Sequence, residues 1–417
     1  MNTTPQIPDA AASHPAAQQW MVGSPPPRDR QVRFAEGGLF TFPQLRWAFS
    51  NIRQLMPTVN VWRGHGPLRP LSRADREDID AVEFLPLGGA QPMRWDASLA
   101  ANYTDGIVVL HRGRIVYERY PGVLQAQGQH IGWSVTKSLV ATLAASLAAD
   151  GLLDTSAPVT QYVPELAVSG WGNATVRQVM DMTTALQFSE EYVNPNAEVW
   201  THARAGGIVP RPADYDGIDG FCAYLQTVKS NGEHGRGFTY RTVNTDVLGW
   251  IVRRVTGLSL SEALSQRIWS QIGAEQDAYM TLDAEGTEFA GGGFNGALRD
   301  MARFGEMMRN EGWFNGRQVV PTAAIDDIRM GADRAHFASA GYALLPGWSY
   351  RGMWWVTHNA HGAFVARGIH GQNIYIDPFA EMVIARFASH PMAASMHTDP
   401  TTLPAYHALA RYLISAP

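Results

Sequence analysis

Cysteine, charge and long apolar runs are all scarce in this sequence, and each shortage excludes a class of protein. Cys222 is the one cysteine among 417 residues, which excludes a disulfide framework and a cysteine-based zinc site. No stretch approaches the roughly 18 consecutive apolar residues of a membrane-spanning helix. Charged residues make up 17% and the net charge is −5, so neither nucleic acid nor a membrane is expected as a partner.

Lysine is scarce as well. Only Lys137 and Lys229 occur among the 33 lysine and arginine residues, and coding bias accounts for the general excess of arginine. Arginine stays charged in proteins, whereas a buried lysine can lose its proton and act as a base. A lysine kept in such a chain is therefore a candidate for a role that arginine cannot fill. Lys229 precedes a turn signal and is predicted to be an exposed loop residue.

The N-terminal segment differs in composition from the rest of the chain. Apolar residues make up 45% of the whole sequence, as in a globular protein with a large core. Residues 1–35 are rich in proline and alanine, and they lack the basic start and apolar stretch of a secretory signal. We therefore expect an extended N-terminal arm and a cytoplasmic protein.

Strand patterns occur at both ends of the chain, with helical patterns between them. β-Branched runs around a glycine turn predict a β-hairpin over residues 106–120, and more strand patterns follow over residues 347–389. Residues 36–154 and 345–417 are therefore predicted to form one discontinuous α/β (α+β) domain. A mostly helical domain, residues 155–344, is predicted to be inserted into it.

Two other segments carry weaker signals. Residues 187–216 contain several prolines and glycines, and a loop of this length predicts a substrate loop or lid. The pair His358 and His361 and the glycine-rich residues 291–296 are interpreted as structural, so no metal and no cofactor are expected.

The stretch from Gly132 to Lys137 opens an apolar helical segment and carries the strongest chemical signal. Ser134 and Lys137 are three residues apart, so on a helix their side chains share one face. A serine hydroxyl is a weak nucleophile without an adjacent base. Burial and the positive end of the helix dipole both lower the pKa of such a lysine, which fits it to accept the serine proton. The alternative is an ordinary capping serine beside a surface lysine.

Two further groups complete the predicted chemistry. The backbone N–H of Ser134 would be free at the helix start and able to stabilise an oxyanion. Tyr240 precedes another helical pattern, and a tyrosine near a cationic lysine has a stabilised phenolate, which suits a proton carrier. The alternative for Tyr240 is a buried structural tyrosine.

Together these residues resemble the serine β-lactamase and penicillin-binding-protein superfamily. Ser134-Val-Thr-Lys137 is followed by Tyr240 and, near the C-terminus, by Gly368-Ile-His-Gly-Gln-Asn373. The sequence is most similar to class C-like esterases and to 6-aminohexanoate-dimer (nylon-oligomer) hydrolases. The other strings that carry this likeness are Tyr162-Val-Pro-Glu-Leu166, Glu191-Tyr192-Val193 and Asn244-Thr-Asp-Val-Leu-Gly-Trp-Ile251.

The resemblance implies a β-lactamase-like antiparallel sheet flanked by helices and a serine hydrolase of small esters or linear amides. It implies that Ser134 is the acylated nucleophile, Lys137 its base partner and Tyr240 the proton shuttle. It also implies an oxyanion site made by the backbone N–H groups of Ser134 and Ile369. The residues that it places at the substrate are Tyr192, Trp355, Ala203 and Gly291.

The chain departs from class C β-lactamases at two motifs. Thr242 stands two residues after Tyr240, where those enzymes have asparagine. Ala366-Arg367-Gly368 replaces their Lys-Thr-Gly, with Arg367 as a partial substitute for the lysine that meets a β-lactam carboxylate. Turnover of β-lactams is therefore expected to be poor.

Two more departures concern amide cleavage. Ala203 and Gly291 stand where amide-active nylon-oligomer hydrolases carry an aspartate and an asparagine. Esters are therefore expected to be better substrates than linear amides. The alternatives that stay open are a β-lactamase or D-amino-acid peptidase on the same fold, and a non-catalytic binding protein. The oligomeric state is also open, with a homodimer among the options.

Overall fold

The computed structural model of the protein describes residues 7–415, so the first six residues of the predicted arm lie outside the described range. Every paired strand in this range is antiparallel to its neighbours. The strands are β1 Thr58–Val61, β2 Glu83–Phe84, β3 Met93–Arg94, β4 Thr104–His111, β5 Arg114–Arg119, β6 Gln129–Ile131, β7 Ala278–Thr281, β8 Phe294–Ala297, β9 Trp313–Phe314, β10 Arg317–Gln318, β11 Ser349–Arg351, β12 Trp354–Val356, β13 Phe364–Gly368, β14 Gln372–Asp377 and β15 Met382–Ala388.

The helices are mostly short, and the four longest are α3, α8, α10 and α13. They are α1 Leu45–Ala48, α2 Trp95–Ala101, α3 Val135–Ala149, α4 Val159–Tyr162, α5 Val176–Met180, α6 Glu198–Ala205, α7 Phe221–Leu225, α8 Val243–Thr256, α9 Leu260–Leu264, α10 Leu298–Arg309, α11 Thr322–Met330, α12 Arg334–Ala338 and α13 Asp399–Ser415. A π-helical turn, Ser265–Trp269, continues α9. The short 3₁₀ turns are Arg28–Arg30, Phe34–Glu36, Ile52–Gln54, Glu77–Ala81, Pro164–Leu166, Ile369–Gly371 and Ser395–His397.

The main sheet has seven strands in the order β11-β12-β13-β14-β15-β4-β5 and draws them from both ends of the chain. Successive side chains of a strand point to opposite faces, so a buried strand needs a cover on each side. On β14, Ile374 lies against Gly305 of α10, while Tyr375 packs on Tyr406 of α13 at 5.3 Å between ring centroids. The expected antiparallel sheet flanked by helices is confirmed. The three domain boundaries stay a prediction.

Helix α3 owes its central position to its composition. Its side chains are small or apolar on every face, and those from Val135 to Leu147 are all buried. It packs against α8, α11 and β13. A second sheet, in the order β1-β7-β8-β6, holds the segment that enters α3, because the Gly132 N–H donates to the Phe294 carbonyl at 2.8 Å. The start of α3 is thereby fixed between the two sheets.

The described part of the N-terminal segment is not an extended arm. Residues 7–35 fold in turns and two short 3₁₀ turns, and Val32 is buried. The buried guanidinium of Arg46 donates to Ser13 Oγ at 2.9 Å and lies 3.5 Å from Asp105. A buried charge with such partners fixes the segment to the body of the protein.

Two element boundaries differ from the sequence patterns for local reasons. The predicted loop over residues 187–216 contains α6, whose short length hides its period among prolines and glycines. Proline is common in the first turn of a helix, so Pro404 suits a helix start, yet α13 begins earlier, at Asp399. Pro404 has no N–H to give to the carbonyl of Pro400, and that carbonyl instead accepts the Leu87 N–H at 2.9 Å. The helix therefore tolerates the internal proline.

Candidate active site

Ser134 stands at the mouth of a cleft, directly before the first residue of α3. The preceding Trp133 has φ = +44°, a left-handed conformation that bulky residues rarely adopt. Its indole is held by Phe40 at 5.3 Å and Phe49 at 5.4 Å between ring centroids. Backbone strain of this kind persists only where the surroundings enforce it, and it clusters at functional sites. Here it forms the sharp turn on which Ser134 sits, with 8% of the residue exposed.

Lys137 lies one turn further along the same helix face and is 1% exposed. Its Nζ donates to Ser134 Oγ at 2.8 Å and to the Gly291 carbonyl at 2.6 Å. Burial lowers the pKa of Lys137 to about 8, and the charges of Glu190 and Asp246 oppose this shift. A lysine with that pKa is neutral in part of the population near neutral pH and is then able to accept a proton.

Tyr240 lies beside Ser134 and Lys137 and is the third residue of this group. Lys137 Nζ lies 5.2 Å from the centroid of its ring, and the ring stacks on Trp355 at 5.7 Å. Burial and the Glu190 charge raise the pKa of Tyr240 well above its usual value, while the neighbouring Ser134 hydroxyl opposes this. The expected stabilised phenolate is therefore wrong. In this structure Tyr240 is a neutral phenol, able to donate a proton rather than to take one first.

The backbone N–H groups of Ser134 and Ile369 come together because β13 ends in a glycine. A Cβ on Gly368 would lie 2.5 Å from the Gly132 carbonyl oxygen and 3.1 Å from the Ser134 nitrogen. No other residue type permits this approach. Within residues 7–415 neither N–H has a protein acceptor. His370 follows in a left-handed conformation and is held by a hydrogen bond from Nδ1 to the His390 carbonyl at 2.6 Å.

Two cavities meet at Ser134. The larger, about 400 Å³, lies on the Tyr240 side, and Trp355 lines it. The smaller, about 50 Å³, lies on the Lys137 side, and both Ala203 and Gly291 line it. Tyr192 borders both cavities. The structure thus brings all of the sequence-predicted site residues into one cleft.

Glu190 was missed by the sequence analysis. It accepts the Thr242 N–H and the Thr242 hydroxyl at 2.6 Å each, and the Tyr192 hydroxyl at 2.7 Å. It therefore ties the predicted substrate loop to the N-terminus of α8 just beyond Tyr240. The available signal was its position two residues before Tyr192, beside a second glutamate.

A buried pair behind Lys137 was also missed. His202 Nε2 and Asp246 Oδ2 are 2.9 Å apart, and both side chains are almost fully buried. Asp246 Oδ1 accepts the Gly291 N–H at 2.9 Å. Since the Gly291 carbonyl accepts from Lys137, the single residue Gly291 links the Asp246 carboxylate to the lysine. No local pattern in the sequence joins residues so far apart.

Two of the positions that differ from the related enzymes, 242 and 291, are in direct contact. A Cβ on Gly291 would collide with the Thr242 Cγ2 methyl group. With threonine at position 242, position 291 therefore accepts only glycine. Gly291 thus gives the small cavity no side chain, and the Thr242 hydroxyl is already bonded to Glu190.

Arg367 does not present a free charge to the larger cavity. Its guanidinium is paired with Asp399, both side chains are buried, and it lies 5.0 Å from the centroid of the Trp355 ring. This pairing neutralises the Arg367 charge that was expected to meet a β-lactam carboxylate. Arg367 is therefore a structural part of the cavity wall.

The structure also bears on two expectations from the sequence, the structural role of His358 and His361 and the absence of a membrane-spanning helix. No group of three or more potential metal ligands occurs in the described range, and His358 and His361 bond instead to Ser349 and Asp377, at 2.7 Å each. None of the helices over residues 7–415 has the length and apolar character that crossing a membrane requires. A cytoplasmic location stays a prediction.

Comparison with known proteins decides the family. The β-lactamase family profile matches residues 98–403, which is most of the chain. The chain belongs to the β-lactamase family. It is 35% identical over 393 residues to the 6-aminohexanoate-dimer hydrolase of Paenarthrobacter ureafaciens, covering 94% of this chain and 92% of that protein. The resemblance predicted from the sequence is confirmed.

Solved structures agree with this family membership. A structure from Bacillus anthracis that carries the 6-aminohexanoate-dimer hydrolase name superposes with a TM-score of 0.85 at 31% identity, covering 94% of this chain and 100% of that one. A family VIII carboxylesterase superposes with a TM-score of 0.56 at 19% identity, covering 75% of this chain and 95% of its own, and shows the shared fold. The β-lactamase-family member described here is therefore a hydrolase with the β-lactamase-like fold.

Proposed function

We propose that this protein hydrolyses small carboxylic esters, and linear amides more slowly, through an acyl-enzyme on Ser134. The observation that carries the proposal is the contact of 2.8 Å between Ser134 Oγ and a buried lysine whose pKa is lowered to about 8. An activated serine needs such a base within hydrogen-bond reach. The two cavities on either side of Ser134 provide room for the two halves of a substrate.

The proposed reaction has two halves. Neutral Lys137 takes the Ser134 proton while Oγ attacks the substrate carbonyl, and the N–H groups of Ser134 and Ile369 hold the oxyanion. Tyr240 donates its phenol proton to the leaving alkoxide as the carbon–oxygen bond breaks, and the Lys137 ammonium returns a proton to Tyr240. Water then attacks the acyl-enzyme and gives a proton to the relay of Lys137 and Tyr240. As the acid is released, Ser134 Oγ regains a proton from the same relay.

A substrate panel with covalent labelling tests this proposal. The panel contains short p-nitrophenyl esters, linear amides of aminohexanoate, and nitrocefin, together with a fluorophosphonate probe read by intact-protein mass. Ester turnover and a single adduct are expected. Efficient nitrocefin turnover would instead make it a β-lactamase, and the absence of both turnover and adduct would make it a binding protein on this scaffold.

Esters are expected to be cleaved far faster than linear amides. An amide nitrogen must be protonated as it leaves, so amide cleavage depends more on well-placed polar groups. Ala203 offers none, and Gly291 has no room for one beside Thr242. Each missing polar contact in a closed cleft costs about 1–3 kcal/mol, or roughly ten- to a hundredfold in rate. The measurement is kcat/KM for p-nitrophenyl butyrate and for the linear aminohexanoate dimer.

The variant Ala203→Asp is expected to raise kcat/KM for the linear dimer by about tenfold, because its carboxylate would meet the free ammonium of that substrate. Ala203→Asn is the matched control, since it has the same shape without the charge. A wild-type enzyme that cleaves the amide as well as the ester, or an aspartate variant no better than the asparagine variant, would contradict this explanation.

The activity is expected to rise with pH up to about 8. Lys137 acts in its neutral form, and burial places its pKa at about 8. Below that pH the neutral fraction, and with it kcat/KM for an uncharged ester, increases about tenfold per pH unit. The negative charge of Glu190 raises the pKa of Lys137, so Glu190→Gln is expected to move the midpoint to lower pH.

The neighbouring variant Glu191→Gln is the control for this shift, because Glu191 is exposed and does not contribute to the Lys137 pKa. The measurement is the midpoint of the kcat/KM profile between pH 5 and about 10 for each variant. Equal midpoints for the Glu190→Gln variant and the wild type would show that another group sets the profile.

A further inference from the structure

The smaller cavity beside Ser134 is lined in part by a residue from outside the range that matches the family profile. Phe40 precedes residue 98, where the match to the family profile begins. Its ring lies 5.3 Å from Trp133 and 6.3 Å from Trp200, measured between centroids, the latter edge to face. The rest of the apolar wall consists of Val199, Ile208 and Phe289. This part of the cleft is therefore aromatic and apolar.

Phe40 is held in place by the packing of its neighbours. Leu39 and Leu45 are buried in a hydrophobic cluster that also contains Trp133 and Phe289, and Phe40 packs against this cluster. The Phe40 N–H donates to the Gly37 carbonyl at 3.0 Å, which closes a turn. Phe40 is thus a fixed part of the cavity wall.

No free charge faces this cavity from its described lining. The ionisable side chains there are Lys137, His202 and Tyr192. Lys137 bonds to Ser134 and Gly291, His202 to Asp246, and Tyr192 to Glu190. A charged substrate group would lose its hydration here without gaining a partner, which is costly in an apolar site. The cavity therefore suits an uncharged group.

The proton relay indicates which half of the substrate occupies which cavity. Tyr240, the proposed proton donor to the leaving group, lines only the larger cavity, and Lys137 lines only the smaller one. A general acid must lie within hydrogen-bond reach of the atom that it protonates. The leaving group thus belongs in the larger cavity, and the acyl group in the smaller.

We propose that the smaller cavity is an acyl-group pocket in which the wall residue Phe40 restricts substrates to short, uncharged, apolar acyl chains. This inference rests on the proposed function. The cavity measures about 50 Å³. A cavity of this size has room for only a small group. A short acyl chain is therefore expected to fit better than a long one.

A series of p-nitrophenyl esters from acetate to octanoate tests the pocket. The wild-type kcat/KM is expected to fall at least tenfold between butyrate and octanoate. Phe40→Ala is expected to raise the octanoate-to-butyrate ratio about tenfold, because methylene groups gain space in an apolar pocket. Ala203→Leu fills the same pocket from the other side, and it is expected to lower the hexanoate-to-acetate ratio about tenfold.

Phe42→Ala is the matched control. Phe42 lies two residues away and packs edge to face on Tyr103 at 5.8 Å, and it lines neither cavity. Its ester ratios are expected to equal those of the wild type. Each ratio is measured within one enzyme preparation, so partial loss of folded protein cancels. If Phe40→Ala yields no folded protein, Ala203→Leu decides alone.

The outcomes separate this inference from the function on which it rests. Turnover with unchanged ratios in the Phe40 and Ala203 variants, or a wild-type preference for octanoate, overturns the acyl pocket and leaves the serine hydrolase intact. Absence of turnover and labelling with every ester overturns the proposed function, and the acyl pocket with it.

Discussion

Replacing Ser134 with alanine is expected to abolish fluorophosphonate labelling and to lower kcat for ester hydrolysis by on the order of 10⁴- to 10⁶-fold. Ser134 Oγ is the hydroxyl that accepts from Lys137 Nζ, at 2.8 Å. No other serine in the sequence is followed by a lysine three residues later. Without Oγ no acyl-enzyme forms, and only the oxyanion donors and substrate binding remain.

Ser138→Ala is the control for this variant. Ser138 lies on the same helix, and its hydroxyl donates to the Met353 carbonyl at 2.7 Å, away from Lys137. Its loss is expected to cost about 1 kcal/mol of stability and to leave the adduct intact. The measurement is intact-protein mass after labelling, with ester turnover in parallel. An adduct that persists in the Ser134 variant would show that the nucleophile is another residue.

Replacing Lys137 with arginine is expected to lower kcat/KM for esters about 10³-fold although the positive charge is kept. Arginine stays protonated at any pH where the protein is folded, so it cannot take the Ser134 proton. Lys137 is also almost fully buried between Ser134 and the Gly291 carbonyl, where its Nζ is held at 2.6 Å. The planar guanidinium does not reproduce both contacts in that space.

The chain provides its own control, since its other lysine is exposed. Lys229→Arg is expected to change neither turnover nor labelling. Raising the pH to about 10 is expected to leave the Lys137→Arg variant inactive, because the guanidinium still holds its proton. Ester hydrolysis near the wild-type rate in that variant would mean that Lys137 supplies only a positive charge.

The local parts of the fold and site are predictable from sequence because they depend on residues close together in the chain. The hairpin of β4 and β5 follows from β-branched runs around a turn, and α3 follows from its apolar composition. The contact between Ser134 and Lys137 follows from helical periodicity. Tyr240 and Ile369 are placed in the same cleft by the family resemblance, not by any pattern within the sequence.

The direction of the pKa shift at Tyr240 could not be predicted from the sequence. The nearby lysine predicted a lowered pKa, but burial and Glu190 raise it. Burial depends on every element that packs around the ring, and Trp355 and Tyr350 come from strands more than a hundred residues away. Desolvation at a buried site exceeds the effect of one neighbouring charge.

The sequence by itself determined the family, the antiparallel sheet with its flanking helices, and the helix that carries Ser134 and Lys137. Only the tertiary structure decided that Phe40 lines the small cavity, that Asp246 bonds to the Gly291 N–H behind the lysine, and that Thr242 excludes a side chain at position 291. The physical reason is that each of these contacts joins residues far apart in the chain. Helical and strand periods carry information over a few residues, whereas close packing of distant side chains is settled only when the whole core is assembled.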